Sequence, residues 1–271
     1  RHATSKLLTA EDLQNILTFG FRGEALASIA AVAEVSLRTR REEDEVGCPD
    51  GTTIIIRDLF FNTPARLKFM KRDSVEASHV AGAVQRQALA HPEVAFRLIK
   101  DGETVLQTAG NGDLHGTVYQ VYGRQLAVDM VPVKSQWEGY SLMGYVTKPT
   151  ATRGNRNYQQ FFVNGRPATS PSIAYALKEA YPRRQGESKP AAFLFIELPP
   201  NQVDVNVHPT KREVRFHNNN AVKNAIYAAI GNALSAPEQI IPEETNQVEF
   251  TISEEKPEEK VSVAVLPGDI K

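Results

Sequence analysis

The stretch Phe19-Gly20-Phe21-Arg22-Gly23-Glu24-Ala25-Leu26 decides the fold of the first part of this chain, because it places two glycines directly before an alanine-rich helical pattern. Glycine has no Cβ, so backbone N–H groups at such a turn can approach an anion closely. The first N–H groups of a following helix carry a partial positive charge toward the same point. The stretch therefore predicts a cradle for a nucleotide phosphate, although its spacing also fits a turn that only satisfies backbone geometry.

Helical periodicity is present on both sides of this glycine turn. Before it, Thr9-Ala10-Glu11-Asp12 is similar to a capping box, and the apolar spacing continues as far as Gly20. After it, apolar residues recur every three or four positions, at Leu26, Ile29, Ala30 and Ala33. We therefore predict two helices that flank a short glycine turn.

Composition sets the outer limits of the chain. Its 271 residues, 41% of them hydrophobic, leave room for two domains. No apolar run has the length of a membrane span and no signal-peptide pattern is present, so we expect a cytoplasmic location and no membrane contact. The single cysteine, Cys48, excludes an internal disulfide, and the histidines show no spacing typical of metal ligands, so we predict no metal site.

Charge is distributed unevenly along the chain. From Ala236 onward nine acidic residues face three lysines, which leaves 28 basic and 23 acidic residues in the preceding part. An acidic, proline-containing tail of this kind indicates a disordered linker, which we place at residues 235–271. The mildly basic body is consistent with contact to DNA, and is equally within the normal range of soluble domains.

Alternating helical and strand patterns indicate an α+β fold, with a first domain at residues 1–110 and a second at residues 111–234. Strands are predicted near residues 35–40, 52–59, 95–100, 104–108, 141–148, 158–164, 192–198, 203–207 and 213–216. Helices are predicted at residues 64–72, 75–90, 114–122, 170–181 and 221–234. Asp101-Gly102 and Asn164-Gly165 are typical of two-residue hairpin turns.

Six blocks of sequence resemble the MutL family of DNA mismatch-repair ATPases, in the same order from residue 1 to about residue 234. They are His2-Ala3-Thr4-Ser5-Lys6, Gly20 to Leu26, Gly51-Thr52-Thr53, Leu59 to Arg66, Val163-Asn164-Gly165-Arg166 and Asp204 to Lys211. The resemblance implies the C-terminal part of a GHKL-type ATPase α/β sandwich, followed by a ribosomal-protein-like α+β domain.

The family resemblance also implies a parent protein that binds ATP and Mg²⁺. In the family, a glutamate that activates water and an asparagine that helps to hold magnesium precede the first of these blocks, together with an Asp-Asn-Gly turn that reads adenine. We find no counterpart of them in this sequence. We therefore expect a fragment of an ATPase, with no catalytic residue and little or no hydrolysis of its own.

Nucleotide-binding positions follow from the resemblance alone. The lid over the phosphates maps onto Thr4, Ser5, Lys6, Gly20, Phe21, Arg22, Gly23, Glu24, Ala25 and Leu26. Thr52 maps onto a position that supports adenine recognition, and Lys211 onto a lysine that reaches the γ-phosphate from the second domain. Without the resemblance, Lys6 fits a frayed terminus and Lys211 fits a solvated loop.

The resemblance further implies contacts with DNA. Arg166, after the Asn164-Gly165 turn, maps onto a positively charged groove, although a hairpin position alone predicts an exposed turn residue. Arg66 and Lys68 add to that field, and are equally compatible with a solvated helix face. No residues are arranged to read bases, so binding should depend on salt and hardly on sequence.

Two functions from different classes are compatible with these patterns. The first is an ATP-switched matchmaker that couples mismatch recognition by MutS to downstream strand incision and removal, with self-association of N-terminal regions on ATP binding. The second is a non-catalytic, salt-sensitive nucleic-acid-binding module. Titrations with ATP and with duplex DNA separate the two.

Overall fold

The computed structural model describes residues 24–40, 50–151, 153–181, 189–204 and 213–235, and the backbone of Ser262–Ala264. The chain divides into two compact units, Arg1–Ser78 and His79–Lys271. The boundary expected at residue 110 lies inside the second unit. Leu89, before this boundary, and Val118, after it, belong to the same hydrophobic core, which explains the difference.

The first unit contains a short helix, a hairpin and a helical turn. These are α1 (Ala25–Ala30), β1 (Glu34–Arg40), β2 (Gly51–Arg57) and α2 (Pro64–Leu67). The two strands pair antiparallel, from Glu34↔Arg57 to Arg40↔Gly51. One face of this hairpin carries Leu37, Ile54 and Ile56, which are all exposed. A two-stranded hairpin is only marginally stable by itself, so this face is weakly protected from solvent.

The helix predicted at residues 64–72 is wrong in its extent, because α2 ends at Leu67. The residues that follow begin the next helix instead. The Arg72 carbonyl accepts the N–H of Glu76, and the Lys71 N–H donates to the Glu76 carboxylate at 2.9 Å. These bonds start α3 at Asp73, and α3 then continues to Ala90, close to the predicted helix at residues 75–90.

In its described residues, the second unit combines three sheets with helices. Its further helices are α4 (Leu114–Tyr122), α5 (Arg124–Ala127), α6 (Pro171–Glu179) and α7 (Asn219–Ser235). Its strands are β3 (Arg97–Lys100), β4 (Glu103–Gln107), β5 (Met130–Trp137), β6 (Tyr140–Thr147), β7 (Gln159–Val163), β8 (Arg166–Ala168), β9 (Ala192–Glu197), β10 (Val203–Asp204), β11 (Arg215–Phe216) and β12 (Ser262–Ala264). A 3-10 turn, Pro200–Gln202, leads into β10.

A five-stranded mixed sheet with the order β5-β6-β9-β7-β8 is the centre of the second unit. Strand β9 pairs antiparallel with β6 and parallel with β7, while β7–β8 and β5–β6 are antiparallel. Central strands buried on both faces have nearly continuous apolar sequences, and the residues of β9, Ala-Phe-Leu-Phe-Ile-Glu, agree with this rule. The observed mixture confirms the α+β class.

The two faces of this sheet are covered by different helices. Leu194 and Ile196 of β9 share one core with Ile173 and Leu177 of α6 and with Ile226 of α7. The alternate residue Phe193 packs on the other side of the sheet, in a core that also receives residues of α3, α4 and α5, which are Leu89, Val118 and Leu126. The two-residue period of a strand thus produces two cores from one run of apolar residues.

Local sequence signals predict several elements closely. Helix α4 covers residues 114–122 as predicted, and the turns Asp101-Gly102 and Asn164-Gly165 have positive φ at both central residues, as two-residue hairpins require. A third turn of this kind, Glu138-Gly139, and the strand β5 before it were not predicted. None of the helices in the described part of the chain is long and apolar enough to cross a membrane.

The segment predicted as a disordered linker contains a strand. Residues Ser262–Ala264 of β12 pair in parallel with β3, which gives a three-stranded sheet of order β12-β3-β4. A short run rich in valine has a high β-propensity, and an open strand edge offers it hydrogen-bonding partners. The linker prediction for residues 235–271 therefore differs from the structure at this point.

Substitution of Gly144 by alanine should destabilise the second unit by about 2–4 kcal/mol. Gly144 has φ +143, and a Cβ added there would lie 2.0 Å from the backbone oxygen of Phe193 in β9. The matched control is Gly231→Ala in α7, where an added Cβ meets nothing within 4 Å and should stabilise by about 0.5–1 kcal/mol. Urea unfolding checks both values, and equal midpoints for the two variants would contradict the described contact between β6 and β9.

Candidate functional site

A cavity of about 540 Å³ lies beside one edge of the central sheet. Strands β7 and β8 form its floor, and the first turn of α6, the end of α3 and the loop before β7 form its rim. Arg86 reaches it from α3 and Arg156 from the loop, although the two are 70 positions apart in the sequence. The fold therefore brings two guanidinium groups to one opening.

The charge of this cavity favours anions. Its charged lining residues are Arg86, Arg156 and Glu213, which give an excess of one positive charge. Arg156 is exposed and makes no ion pair with the described residues, while Arg86 is half-buried. Because a guanidinium presents several N–H donors in one plane, it suits phosphate oxygens better than a lysine does.

The first turn of α6 adds a second source of positive potential. Ser170 is the N-cap residue with extended φ and ψ, and Pro171 follows at the first helical position, as expected for this end of a helix. The Ser170 side chain makes no capping hydrogen bond, although the residue is only 5% exposed and lines the cavity. The N-terminal end of the nine-residue helix α6 therefore lies at the rim, where its dipole favours a negative charge.

Half-buried polar side chains lie along the floor of the cavity. Gln160 donates through Nε2 to the Asn157 carbonyl at 3.0 Å, and Gln159 donates to the Pro190 carbonyl at 3.0 Å. The Tyr122 side chain hydrogen-bonds Gln160, and burial raises the pKa of Tyr122 to about 12 against the opposing effect of the Arg86 charge. The phenol is therefore protonated at neutral pH and holds the Gln160 amide in place.

Arg166 does not occupy the exposed turn position that its place in the hairpin suggests. It is the first residue of β8 and is only 9% exposed, and burial lowers its pKa. The turn is held against the end of β9, because the Asn164 side chain donates to the Leu198 carbonyl at 3.0 Å and accepts its N–H at 2.9 Å. Strand β8 continues from Arg166 to Pro167 and Ala168, which line the cavity.

The other two residues predicted to contact DNA lie in the first unit. Arg66 is in α2 and Lys68 is its C-cap residue, and both are exposed. Their neighbour Phe69 is 86% exposed, so this segment presents basic and apolar groups together. The predicted DNA contacts therefore belong to two separate units of the chain.

Most of the predicted nucleotide-binding positions lie outside the described residues. These are Thr4, Ser5, Lys6, Gly20, Phe21, Arg22, Gly23 and Lys211. Of the remaining positions, Glu24 is the N-cap residue of α1, which begins at Ala25 and includes Leu26. A helix therefore follows the two glycines of the sequence, as predicted. The Thr52 hydroxyl lies on β2, 2.9 Å from the Thr39 hydroxyl.

The described residues offer no evident metal site. No group of three or more histidine, cysteine, aspartate or glutamate side chains among them could hold an ion. Arg86 and Arg156 were not identified from the sequence, since only the fold brings them together. The one local signal is the loop Arg153-Gly154-Asn155-Arg156-Asn157, whose composition is typical of an exposed, basic connection.

Comparison of this chain with known proteins identifies its family. The profile described as "DNA mismatch repair protein, C-terminal domain" matches residues 118–235. The MutL protein of Symbiobacterium thermophilum is 45% identical over 254 residues, which cover 87% of this chain and 40% of that protein. That of Shouchella clausii is 42% identical and covers 97% of this chain and 44% of its own length. The chain belongs to the MutL family of DNA mismatch-repair proteins. It spans less than half the length of these two relatives.

Solved structures agree with this assignment. The crystal structure of an N-terminal domain of a DNA repair protein has a TM-score of 0.64 at 23% identity and covers 84% of this chain and 82% of that one. The Aquifex aeolicus MutL ATPase domain complexed with ADP has a TM-score of 0.53 at 27% identity, over 71% of this chain and 76% of that one. The predicted GHKL-type fold is thus confirmed.

Replacing Tyr122 by phenylalanine should reduce the decrease in the free energy of unfolding at high pH. The folded chain holds the Tyr122 proton up to about pH 12, whereas the unfolded chain releases it near the ordinary pKa of 10.0. The unfolded state therefore binds fewer protons between these values, and about 2 kcal/mol of stability, present below pH 10, is lost as the pH rises through this window.

Urea unfolding between pH 9 and about pH 12 measures this effect. The control is Tyr119→Phe, which removes an exposed hydroxyl from the same helix. Parallel pH profiles for the two variants would show that Tyr122 is not buried as described.

Proposed function

We propose that this chain is the region of an ATP-switched MutL mismatch-repair protein that connects the nucleotide lid to a surface for the DNA backbone. The basic cavity at the edge of the central sheet carries this proposal, because it offers two guanidinium groups and a helix N-terminus to an anion. Because the chain belongs to the MutL family of DNA mismatch-repair proteins, we take DNA as the anion that binds at this cavity. The described residues alone would fit either of the two functions inferred from the sequence.

The chemistry of the cavity suits phosphate groups rather than bases. Arg86 and Arg156 act as charge and hydrogen-bond donors, and Ser170 adds a hydroxyl at the helix end. Gln159 and Gln160 have side chains of a type that could read base edges, but each already donates an amide N–H to a backbone carbonyl. Binding at this site therefore depends on counterion release, with little preference for sequence. Arg166, Arg66 and Lys68 extend the positive field on their own parts of the chain.

The nucleotide site of the proposal rests on the lid motif. Backbone N–H groups from Gly20 to Leu26 would cradle the phosphates of ATP, and Thr4, Ser5 and Lys6 would cover them. Thr52 would support adenine, with its hydroxyl oriented by Thr39. Lys211 would sense the γ-phosphate as a compact point charge. The similarity to the Aquifex aeolicus MutL ATPase domain complexed with ADP supports the binding of a nucleotide.

Magnesium and hydrolysis belong to the proposed parent protein. Among the described residues, no group of three or more histidine, cysteine, aspartate or glutamate side chains could hold a metal ion. In the proposed cycle, ATP orders the lid and favours self-association of N-terminal regions. MutS supplies the mismatch signal, and strand incision and removal follow downstream in the cytoplasm.

Removal of one guanidinium from the cavity should weaken DNA binding measurably. We expect Arg156→Ala to reduce affinity for duplex DNA about two- to fivefold at low salt, and to lower the slope of log affinity against log salt by about one. Fluorescence anisotropy with two unrelated duplexes checks both values, and the loss should be the same for each.

The matched control for this experiment is Lys134→Ala. Lys134 is exposed on β5, an edge strand three positions from β7 in the sheet, and its loss changes the net charge equally. If both variants lose the same affinity, only overall charge matters and the cavity has no specific role.

Neutralisation of Lys211 separates the two functions inferred from the sequence. If Lys211 contacts the γ-phosphate, Lys211→Ala should weaken ATP binding about tenfold and leave ADP binding almost unchanged. Calorimetric titration of each nucleotide measures this difference, with Lys178→Ala in α6 as the control. An unaltered chain that binds duplex DNA but neither nucleotide would support the non-catalytic module instead.

A further inference from the structure

The first turn of α6 presents hydrogen-bond donors that have no acceptor in the described part of the chain. Ser170 lines the cavity and is only 5% exposed, and its hydroxyl makes no hydrogen bond to a described residue. The N–H groups of Ser172 and Ile173 likewise donate to no described acceptor, while the N–H of Ala174 donates to the Ser170 carbonyl at 3.1 Å. Donors that are shielded from water and lack an acceptor favour the binding of one.

Apolar residues surround these donors inside the cavity. They are Phe161, Pro167, Ala168, Pro171 and Ala174. Their side chains offer no hydrogen bond to a ligand, so the oxygen atoms of a bound anion have to meet the first turn of α6 and the arginines. Because apolar walls lower the local dielectric constant, these donors attract a charge more strongly than donors on an open surface.

The charges at the cavity distinguish between two kinds of phosphate. Arg86 and Arg156 contribute two positive charges, Glu213 opposes them with one negative charge, and the N-terminus of α6 adds about half a positive charge. A phosphate inside a DNA strand carries one negative charge and exposes two non-bridging oxygens. A terminal phosphate monoester carries about −1.5 to −2 charges at pH 7 and exposes three oxygens. The same field therefore attracts the monoester more strongly, and its oxygens equal in number the three donors of the first turn.

We propose that the first turn of α6 binds a terminal phosphate monoester, the group at the 5′-phosphorylated end of a DNA strand. A terminal phosphate is linked to the strand on one side only, so it can enter the cavity, whereas an internal phosphate has a sugar on both sides. Its oxygens accept from the Ser170 hydroxyl and from the N–H groups of Ser172 and Ile173. Arg86 and Arg156 neutralise its charge. The inference rests on the proposed function, which supplies DNA as the source of the phosphate.

Two duplexes that differ only at their 5′ ends test this inference. One carries 5′-phosphates and the other 5′-hydroxyls, and fluorescence anisotropy measures the affinity of the 271-residue chain for each at low salt. We expect about three- to tenfold tighter binding of the phosphorylated duplex, because only its ends offer a dianion to the cavity. Equal affinity for the two duplexes would overturn the inference and leave the proposed function intact.

The variant Ser170→Asp separates ligand binding from a merely structural role of Ser170. Aspartate is a good N-cap residue, so its carboxylate should accept the free N–H groups, keep α6 folded and repel a phosphate from the same place. We expect the ratio of the two affinities to fall to about one, with an unfolding midpoint in urea that is no lower than that of the unaltered chain.

The matched control is Asn220→Asp, which adds the same charge to the exposed first turn of α7. It should weaken the binding of both duplexes slightly and keep the preference for the 5′-phosphate. A preference that survives in the Ser170→Asp variant, or that is lost equally in both variants, would overturn the inference.

A free phosphate monoester tests the site without DNA. Thymidine 5′-monophosphate should shift the amide NMR signals of Ser172 and Ile173 in the unaltered chain, and thymidine, which lacks the phosphate, should not. If the chain binds neither duplex, the proposed function fails, but these shifts would still support the site and would assign it to a free nucleotide. The absence of these shifts at millimolar nucleotide would overturn the inference, whatever the affinity for duplex DNA.

Discussion

The burial of β9 on both of its faces is the constraint on which the second unit depends. Phe193 and Leu194 are adjacent in the chain and are completely buried in two different cores. Each core needs its own helices, so α6 and α7 cover one face of the sheet and α3, α4 and α5 cover the other. Burial of a large apolar side chain contributes about 1.5–3 kcal/mol, which makes this strand the main link between the two layers.

The position of the cavity follows from this double burial. Strand β7 lies parallel to β9, and β8 returns antiparallel at the edge of the sheet. The Asn164 side chain fixes the intervening turn to the end of β9, and Arg166 is buried directly after this turn. Helix α3 packs on one face and α6 on the other, so Arg86 and the N-terminus of α6 meet at the exposed edge. The positive site is therefore a product of the layer arrangement.

The sequence predicts those features that depend on neighbouring residues. Helix α4 was predicted from its apolar periodicity and the turn at Asp101-Gly102 from its left-handed turn residues, and both signals lie within a few neighbouring positions. Strand β5 was missed because it contains Pro132 and exposed polar residues, which only an edge strand tolerates. The turn before Arg166 is held by a bond between residues 34 positions apart, and Arg86 and Arg156 line the same cavity although they are distant in the sequence. Neither feature can be read from neighbouring residues. The lid motif was sufficient to recognise the family, but it did not predict this cavity.

Contact between the cavity and DNA is tested most directly by hydrogen–deuterium exchange of the 271-residue chain, with and without duplex DNA at low salt. If the cavity contacts the DNA backbone, exchange should slow in the loop before β7, in the turn to β8 and in the first turn of α6. Exchange in β9 should not change, because its amides are already protected by the core. Slower exchange only around α2 in the first unit, with none near the cavity, would contradict the claim that the edge of the central sheet contacts nucleic acid.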